Sequence, residues 1–232
     1  MPRDYFAGKV AERYDAETAT MPVQPVVDFL ADLAGDGLAL ELGIGTGRIA
    51  VPLAARGLRV KGIDLSEGMV AKLRAKPGAD AIDVTIGDFS TTKVEGTFSL
   101  AYLVFNTINN LTTQDGQIAC FENAAAHLEP GGCFVIEVGT PGHQRLEVFD
   151  LSETHVGVDE RDFATQRLVS HHFNLVDGQW ELLSMPFRFV SPAELDLMAR
   201  IAGMRLRDRF DGWNREPFTS ESRRHVSVWE KP

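Results

Sequence analysis

Cysteine is scarce. Cys120 and Cys133 are the two in 232 residues, and neither has a His or Cys beside it at metal-ligand spacing. No disulfide framework and no metal centre are expected, and a reducing compartment is. Long apolar runs are missing as well: nothing approaches the ~18 to 20 residues that cross a bilayer, and the opening MPRDYFAGKVAERYDA has no apolar signal core. A cytoplasmic protein without a membrane partner is the expectation. Positive charge is in deficit, with 23 Lys plus Arg against 33 Asp plus Glu and a formal net charge of -10. A chain so acidic is repelled by phosphate backbones, which argues against nucleic acid as a partner. Linkers rich in Gly, Ser or Pro and internal repeats are also lacking, so one core is expected rather than two independent domains.

What is present is an alternation of short apolar runs and helical segments through the first 140 residues. Strands are predicted at 38–42, 59–63, 82–86, 98–104 and 133–138, with helices at 48–56, 67–74 and 114–128, the last stopped by Pro130-Gly131-Gly132. That pattern is α/β, a doubly wound and mostly parallel sheet. After Gly139 the period changes. Residues 163–190 read as an antiparallel hairpin around Asp177-Gly178, setting Leu175 opposite Trp180 and Phe173 opposite Leu182. Val169 and His171 share that apolar face, which is expected to cover another surface. Ser191-Pro192-Ala193-Glu194 is a capped helix start, running to about Gly203. Strands at 205–210 and 224–229 complete the sheet, with Arg205, Arg207 and Arg209 reading as the solvent face of an edge strand.

The most informative segment is LALELGIGTGRIAVPLA, residues 38–54, where a strand passes through Gly43, Gly45 and Gly47 into a helix. Glycines there allow a tight turn and close backbone approach, and the helix start offers free N–H groups. A dinucleotide fingerprint needs its third glycine where Arg48 stands, and a P-loop needs a Gly-Lys-Ser/Thr ending that is absent. VKGIDLS puts Asp64 at the tip of the second strand, about 20 residues on, where a carboxylate can accept both hydroxyls of a ribose. VTIGDFS puts Asp88 and Phe89 at the third strand's tip, an acceptor for an exocyclic amine beside a ring that can pack on a purine.

With ELGIGTG, GIDLSEGMV, GDF, FSLAYLVFNT and LEPGGCFVIE in place, the sequence resembles the class I S-adenosylmethionine-dependent methyltransferases, strongly over residues 36–140 and more loosely beyond. The resemblance implies a Rossmann-like, seven-stranded sheet ending in an antiparallel hairpin, with S-adenosylmethionine as cofactor and S-adenosylhomocysteine as product. It implies that Gly43, Gly45 and Gly47 wrap the methionine portion, with the Gly43 carbonyl taking its ammonium and Glu41 just before the turn. Asp64 would hold the ribose, Leu65 and Met69 flank the adenine, Asp88 beside Gly87 take its amino group and Phe89 lie on its ring, with Val104 at the end of the fourth strand. AERYDAETA resembles the family's lid helix, in which Tyr14 reaches over the cofactor. The chain then divides into lid helices at 1–35, a core of 36–139 with 191–232, and an antiparallel β insertion at 140–190 that covers the substrate or makes a dimer contact. Relatives often carry Phe-Asp at the start of the fourth strand, whereas Ser99 follows Phe98 here, which weakens a general base on that strand. The strand's exit, Val104-Phe105-Asn106-Thr107, also lacks the Pro-Pro-Tyr/Phe motif of nucleic-acid adenine methyltransferases.

Methyl transfer from a sulfonium is an in-line displacement that needs proximity, alignment and dryness, and needs a general base only when the acceptor arrives protonated. Candidate catalytic residues are Asn106, at the mouth of the fourth strand, His171, on the apolar hairpin face opposite to His172, and Tyr14. Trp213, Phe218 and Trp180 are candidates to wall a small-molecule acceptor site, and a homodimer is a second use for the hairpin face. A nicotinamide-dependent oxidoreductase is the rival enzyme, disfavoured by Arg48 and Asp88. A non-catalytic S-adenosylmethionine-binding regulatory protein is the rival without turnover.

Overall fold

The structure is a computed structural model that describes residues 4–232. Seven strands form the main sheet: β1 (Leu38–Leu42), β2 (Arg59–Asp64), β3 (Asp83–Ile86), β4 (Phe98–Leu103), β5 (Leu128–Gly139), β10 (Arg205–Phe210) and β11 (Arg224–Glu230). Their order is β10-β11-β5-β4-β1-β2-β3. The pairings from β3 to β5 are parallel, and β11 is antiparallel to both β5 and β10. Leu40, Leu42 and Leu100 to Leu103 are buried, the near-continuous apolar pattern of strands covered on both faces.

One face is covered by α2 (Gln24–Ala34) and α3 (Ala50–Ala55), whose Val26, Phe29, Leu30 and Leu53 share a core with Leu100 and Tyr102. On the other, α5 (Gln114–His127) and α6 (Pro192–Ile201) bring Phe121, Leu195 and Met198 against Phe134, Ile136 and Trp229. Ser191 caps α6, accepting from Glu194 N at 3.2 Å, as its sequence predicts. Helix α4 (Glu67–Arg74) follows β2 and is capped by Ser66. Because β1 lies between β2 and β4, the winding direction reverses there, which opens a cleft at the carboxyl ends of β1 and β4.

The segment expected to form a lid divides in two: α1 (Lys9–Glu17) lies near the cleft, whereas α2 belongs to the core layer because its apolar stripe is buried. Ser99 sits at the entry of β4, away from the cleft, and donates to Ala34 O at 2.9 Å. An acidic side chain at that position would have no bearing on a base.

Residues 146–188 form a second, four-stranded antiparallel sheet of β6 (Leu146–Leu151), β7 (His155–Asp162), β8 (Arg167–Val176) and β9 (Gln179–Arg188). The β8–β9 hairpin has the expected register, with Phe173 opposite Leu182 and Leu175 opposite Trp180. Asp177 and Gly178 both have positive φ, 50° and 78°, as a type I′ turn requires. The apolar hairpin face turns outward, however: Trp180 is 53% exposed and Leu182 58%. The opposite face, carrying Leu168, Ser170, His172, Leu183 and Met185, is the inner one, and Leu168, Ser170 and Met185 on it are buried. Its base is fastened by the buried Arg188, which donates to Gln117, to Gln166 at 2.8 Å and to Glu194 at 2.7 Å.

Candidate active site

Three glycines set the floor of the cleft. Gly43, Gly45 and Gly47 have φ of 74°, 55° and 74°, a region side chains rarely adopt. Crowding excludes them too: a Cβ on Gly43 would lie 2.6 Å from Thr107 Cγ2, and one on Gly47 2.9 Å from Leu73. The turn is tied to the neighbouring strand by Gly43 N and Ile44 N, which donate to Ile63 O at 2.8 and 3.1 Å.

Around this bare turn stand the acidic groups. Asp64, at the end of β2, accepts from Gly45 N at 2.6 Å and Ser66 N at 2.8 Å, so it braces the glycine turn as well as facing the cleft. Burial raises its carboxyl above the usual range, against those two hydrogen bonds. Glu41 is 2% exposed and accepts from the Tyr102 hydroxyl at 3.0 Å. Burial pushes its carboxyl up to about 8, while Tyr102 and the charge of Arg48 oppose the rise. Asp88 spends one carboxylate oxygen on Ser90 N and Oγ, at 2.9 and 2.7 Å; the other has no protein donor among the described residues. Apolar walls come from Phe89, whose Cε1 is 3.7 Å from a Cβ placed on Gly43, and from Met69, whose Cε is 3.3 Å from one on Gly45. Leu65 is half-buried at the start of the β2–α4 loop. Gly87 donates to Asp64 O at 2.9 Å, and any Cβ there would strike Thr92.

Helix α1 covers this floor. The Tyr14 phenol is raised by burial; the charge of Arg48 opposes the rise and the charges of Glu41 and Asp64 add to it, so the lid residue and the acidic floor share one cleft. The Arg48 guanidinium also lies 5.6 Å from the Phe105 ring centroid, a cation–π distance. A latch holds the helix down: Thr46 Oγ1 donates to Asp15 at 2.5 Å, and Lys76 Nζ donates to Asp15 at 2.9 Å and to Thr46 O at 2.8 Å. At the other end of α1, Lys9 Nζ pairs with Glu181 of β9 at 2.8 Å.

Val104 is buried at the exit of β4. Phe105 and Asn106 follow with positive φ of 56° and 60°, bent values held by Glu137, which accepts from Phe105 N at 3.0 Å and from Trp213 Nε1 at 2.9 Å. The Asn106 side-chain oxygen is committed to Gly139 N at 2.7 Å, so Asn106 shapes the mouth of the strand. His171 is on the outer face of the second sheet, bonded to Ser184 at 2.8 Å; His172 is the histidine that faces inward. Trp180 is outward as well, and Phe218 packs edge-on to His225 at 5.7 Å. Arg209 is no solvent-face residue, since it pairs with Asp196 at 2.7 Å. Sequence reasoning missed Arg48, read only as an obstacle to a dinucleotide, although its place directly after the glycine turn was a usable signal. It missed the Asp15–Thr46–Lys76 latch altogether.

Residues 39–132 match the family model of a methyltransferase domain. The chain is 36% identical to the CcbJ methyltransferase of Streptomyces caelestis, whose structure covers 99% of both chains at a TM-score of 0.89. It is 29% identical over 203 residues to the cypemycin N-terminal methyltransferase of a Streptomyces species, covering 83% of this chain and 82% of that protein. The fold is also that of an amino pentose methyltransferase of Micromonospora echinaspora, solved with S-adenosylmethionine bound, at a TM-score of 0.71, 20% identity and full coverage of both chains. The chain belongs to the class I S-adenosylmethionine-dependent methyltransferases.

Proposed function

We propose that this enzyme methylates an amine of a small, non-polymeric acceptor, with the cofactor held by the residues around the glycine turn. The observation that carries the reading is the convergence of three carboxyl groups, Glu41, Asp64 and Asp88, and one arginine, Arg48, on a bare turn beneath Tyr14. That donor set fits the cofactor's chemistry. Carboxylates suit its ammonium, ribose hydroxyls and adenine amine, a guanidinium suits its carboxylate, and Phe89 with Met69 suits the flat base.

When bound, S-adenosylmethionine supplies an activated methyl on a sulfonium. The chain's own residues do the rest. Asp64 orients the ribose while keeping the Gly45 amide fixed, and Asp88 offers its free oxygen to the adenine amine. Arg48 anchors the carboxylate end. Tyr14 on the latched α1 excludes water and narrows the approach to one direction, the alignment an in-line displacement needs. The inner face of the second sheet forms the far wall, because β9 packs on the Thr107–Asn110 turn at the mouth of β4 and Glu181 reaches α1.

The acidic charge of -10 argues against a polyanionic acceptor, and an amine is favoured because one relative of similar length is named for an N-terminal methylation. We extend the proposal to the outer face of the second sheet. Leu146 and Val148 of β6 and Trp180 and Leu182 of β9 are exposed on that face, and exposed apolar surface of this kind marks association sites. Arg167 beside Glu160 and Asp162 edges the same region, with both signs of charge available to an isologous contact with a second copy. The test of the acceptor reading is transfer of an isotope-labelled methyl to a panel of amino sugars, peptides with free N-termini and phenols.

A further inference from the structure

The inner face of the second sheet holds a polar chain that the cofactor site does not use. Asp150 accepts from His155 Nδ1 at 2.6 Å, His155 Nε2 lies 3.1 Å from His172 Nδ1, and His172 Nε2 lies 3.2 Å from Ser170 Oγ. Four side chains from β6, β7 and β8 thus link end to end. Every junction joins a group that can donate to one that can accept, so shifting one proton at each link moves a proton from one end to the other. Ser170 is buried and Asp150 is half-exposed, so the chain runs from the interior to water.

We propose that Ser170, His172, His155 and Asp150 form the route by which the acceptor's proton leaves the active site. This rests on the amine reading above. An amine R–NH2 attacks the methyl carbon, the N–CH3 bond forms, the S–CH3 bond breaks and its electron pair stays on sulfur. The product is R–NH2⁺–CH3, and its surplus proton passes by way of the Ser170 hydroxyl to His172, then through His155 to Asp150 and water. Placement supports the route. His172 is directly opposite Leu183 of β9, between Glu181, which pairs with Lys9 of the lid helix, and Arg188, whose carbonyl shares the Gln117 amide with Ile108 at the mouth of β4.

The electrostatics agree with a base kept free. Burial and the charge of His155 hold His172 below the usual histidine range, against Asp150, while His171 on the outer face acts in the same direction as His155. Asp159 is raised by burial and opposed by Arg161, which pairs with it at 3.1 Å and with Glu147 at 2.7 Å. Lys9 and Arg13 of α1, the charged groups that face the hairpin from the lid, are paired to Glu181. Phe149 packs edge-on to His172 at 5.4 Å between their ring centroids, shielding the histidine pair.

Two measurements on the full chain test this. Histidine 15N NMR titration of the parent and of Asp150→Asn is expected to show His155 and His172 protonating as a coupled pair whose midpoints move by at least half a pH unit in the variant. Independent midpoints, unmoved in Asp150→Asn, overturn the route whatever the acceptor. With an acceptor found in the labelled-methyl panel, His172→Gln and Asp150→Asn should each lower kcat at least tenfold, leave KM and the S-adenosylmethionine Kd within twofold, and remove the acid limb of the kcat profile. An unchanged kcat and profile in His172→Gln overturns the proposal. If only phenols are methylated while the histidines titrate as a pair, the amine reading fails and the route survives.

Discussion

The Thr46 hydroxyl, in the middle of the glycine turn, donates to Asp15 of helix α1 at 2.5 Å, so one hydrogen bond joins the lid to the floor of the cofactor cleft. Lys76 joins the same carboxylate, and hydrogen bonding from both partners holds it below the usual range against partial burial. Asp15→Ala is expected to loosen the lid and raise the S-adenosylmethionine Kd about fivefold, a loss of about 1 kcal/mol for a half-exposed charged hydrogen bond. Calorimetry reads it. An unchanged Kd would show that α1 is closed by its packing alone.

Asp64→Ala should weaken S-adenosylmethionine by about 1 to 3 kcal/mol, roughly five- to 150-fold in Kd. Two losses combine, the ribose hydrogen bonds and the brace on Gly45 N. Asp64→Asn keeps one acceptor oxygen and should fall between the variant and the parent. Equal binding by all three in calorimetry contradicts the assignment.

Glu41 makes cofactor binding depend on pH. Its carboxyl sits near 8 in the free protein against 4.5 for an ordinary glutamate, so it is largely protonated at neutral pH. Because the folded value is raised, the folded state binds the extra proton between pH 4.5 and 8, and this group's contribution to stability declines as pH rises through that window. A cationic ligand favours the carboxylate, so binding below pH 8 releases a proton. Affinity should therefore rise with pH from 6 to 8, by at most about tenfold per unit. Proton release should be visible as a dependence of the binding enthalpy on buffer ionisation. Glu41→Gln should lose both effects; retention of both assigns the linkage to another group.

The outward hairpin face yields a separate expectation. Leu182→Glu should shift sedimentation velocity from a dimer to a monomer and leave the S-adenosylmethionine Kd within twofold. A monomeric parent would remove the proposed contact.

The cofactor half was legible because its signals are short in sequence. The glycine turn, Asp64 and Asp88 each stand at the tip of a strand with a clear apolar run, and chain order alone places those tips side by side. The second sheet was half legible. Asp177-Gly178 fixed the β8–β9 register, but β6 and β7, LEVFDL and HVGVDERD, alternate too weakly and carry too many acids to read as strands. Alternation also identifies a face without saying which way it turns. For that reason alternation points to His171 rather than His172, and to Trp180 as a pocket wall, whereas both turn outward. The latch was hidden for another reason: Asp15, Thr46 and Lys76 are far apart in the chain and meet only through the packing of α1.

The most direct test of the account is to incubate the purified protein with methyl-labelled S-adenosylmethionine and the panel of amino sugars, free-N-terminal peptides and phenols, and to follow product masses. The account predicts an amine product heavier by one labelled methyl, formed in step with S-adenosylhomocysteine. Tight S-adenosylmethionine binding with no methylated amine from any member of the panel would contradict it.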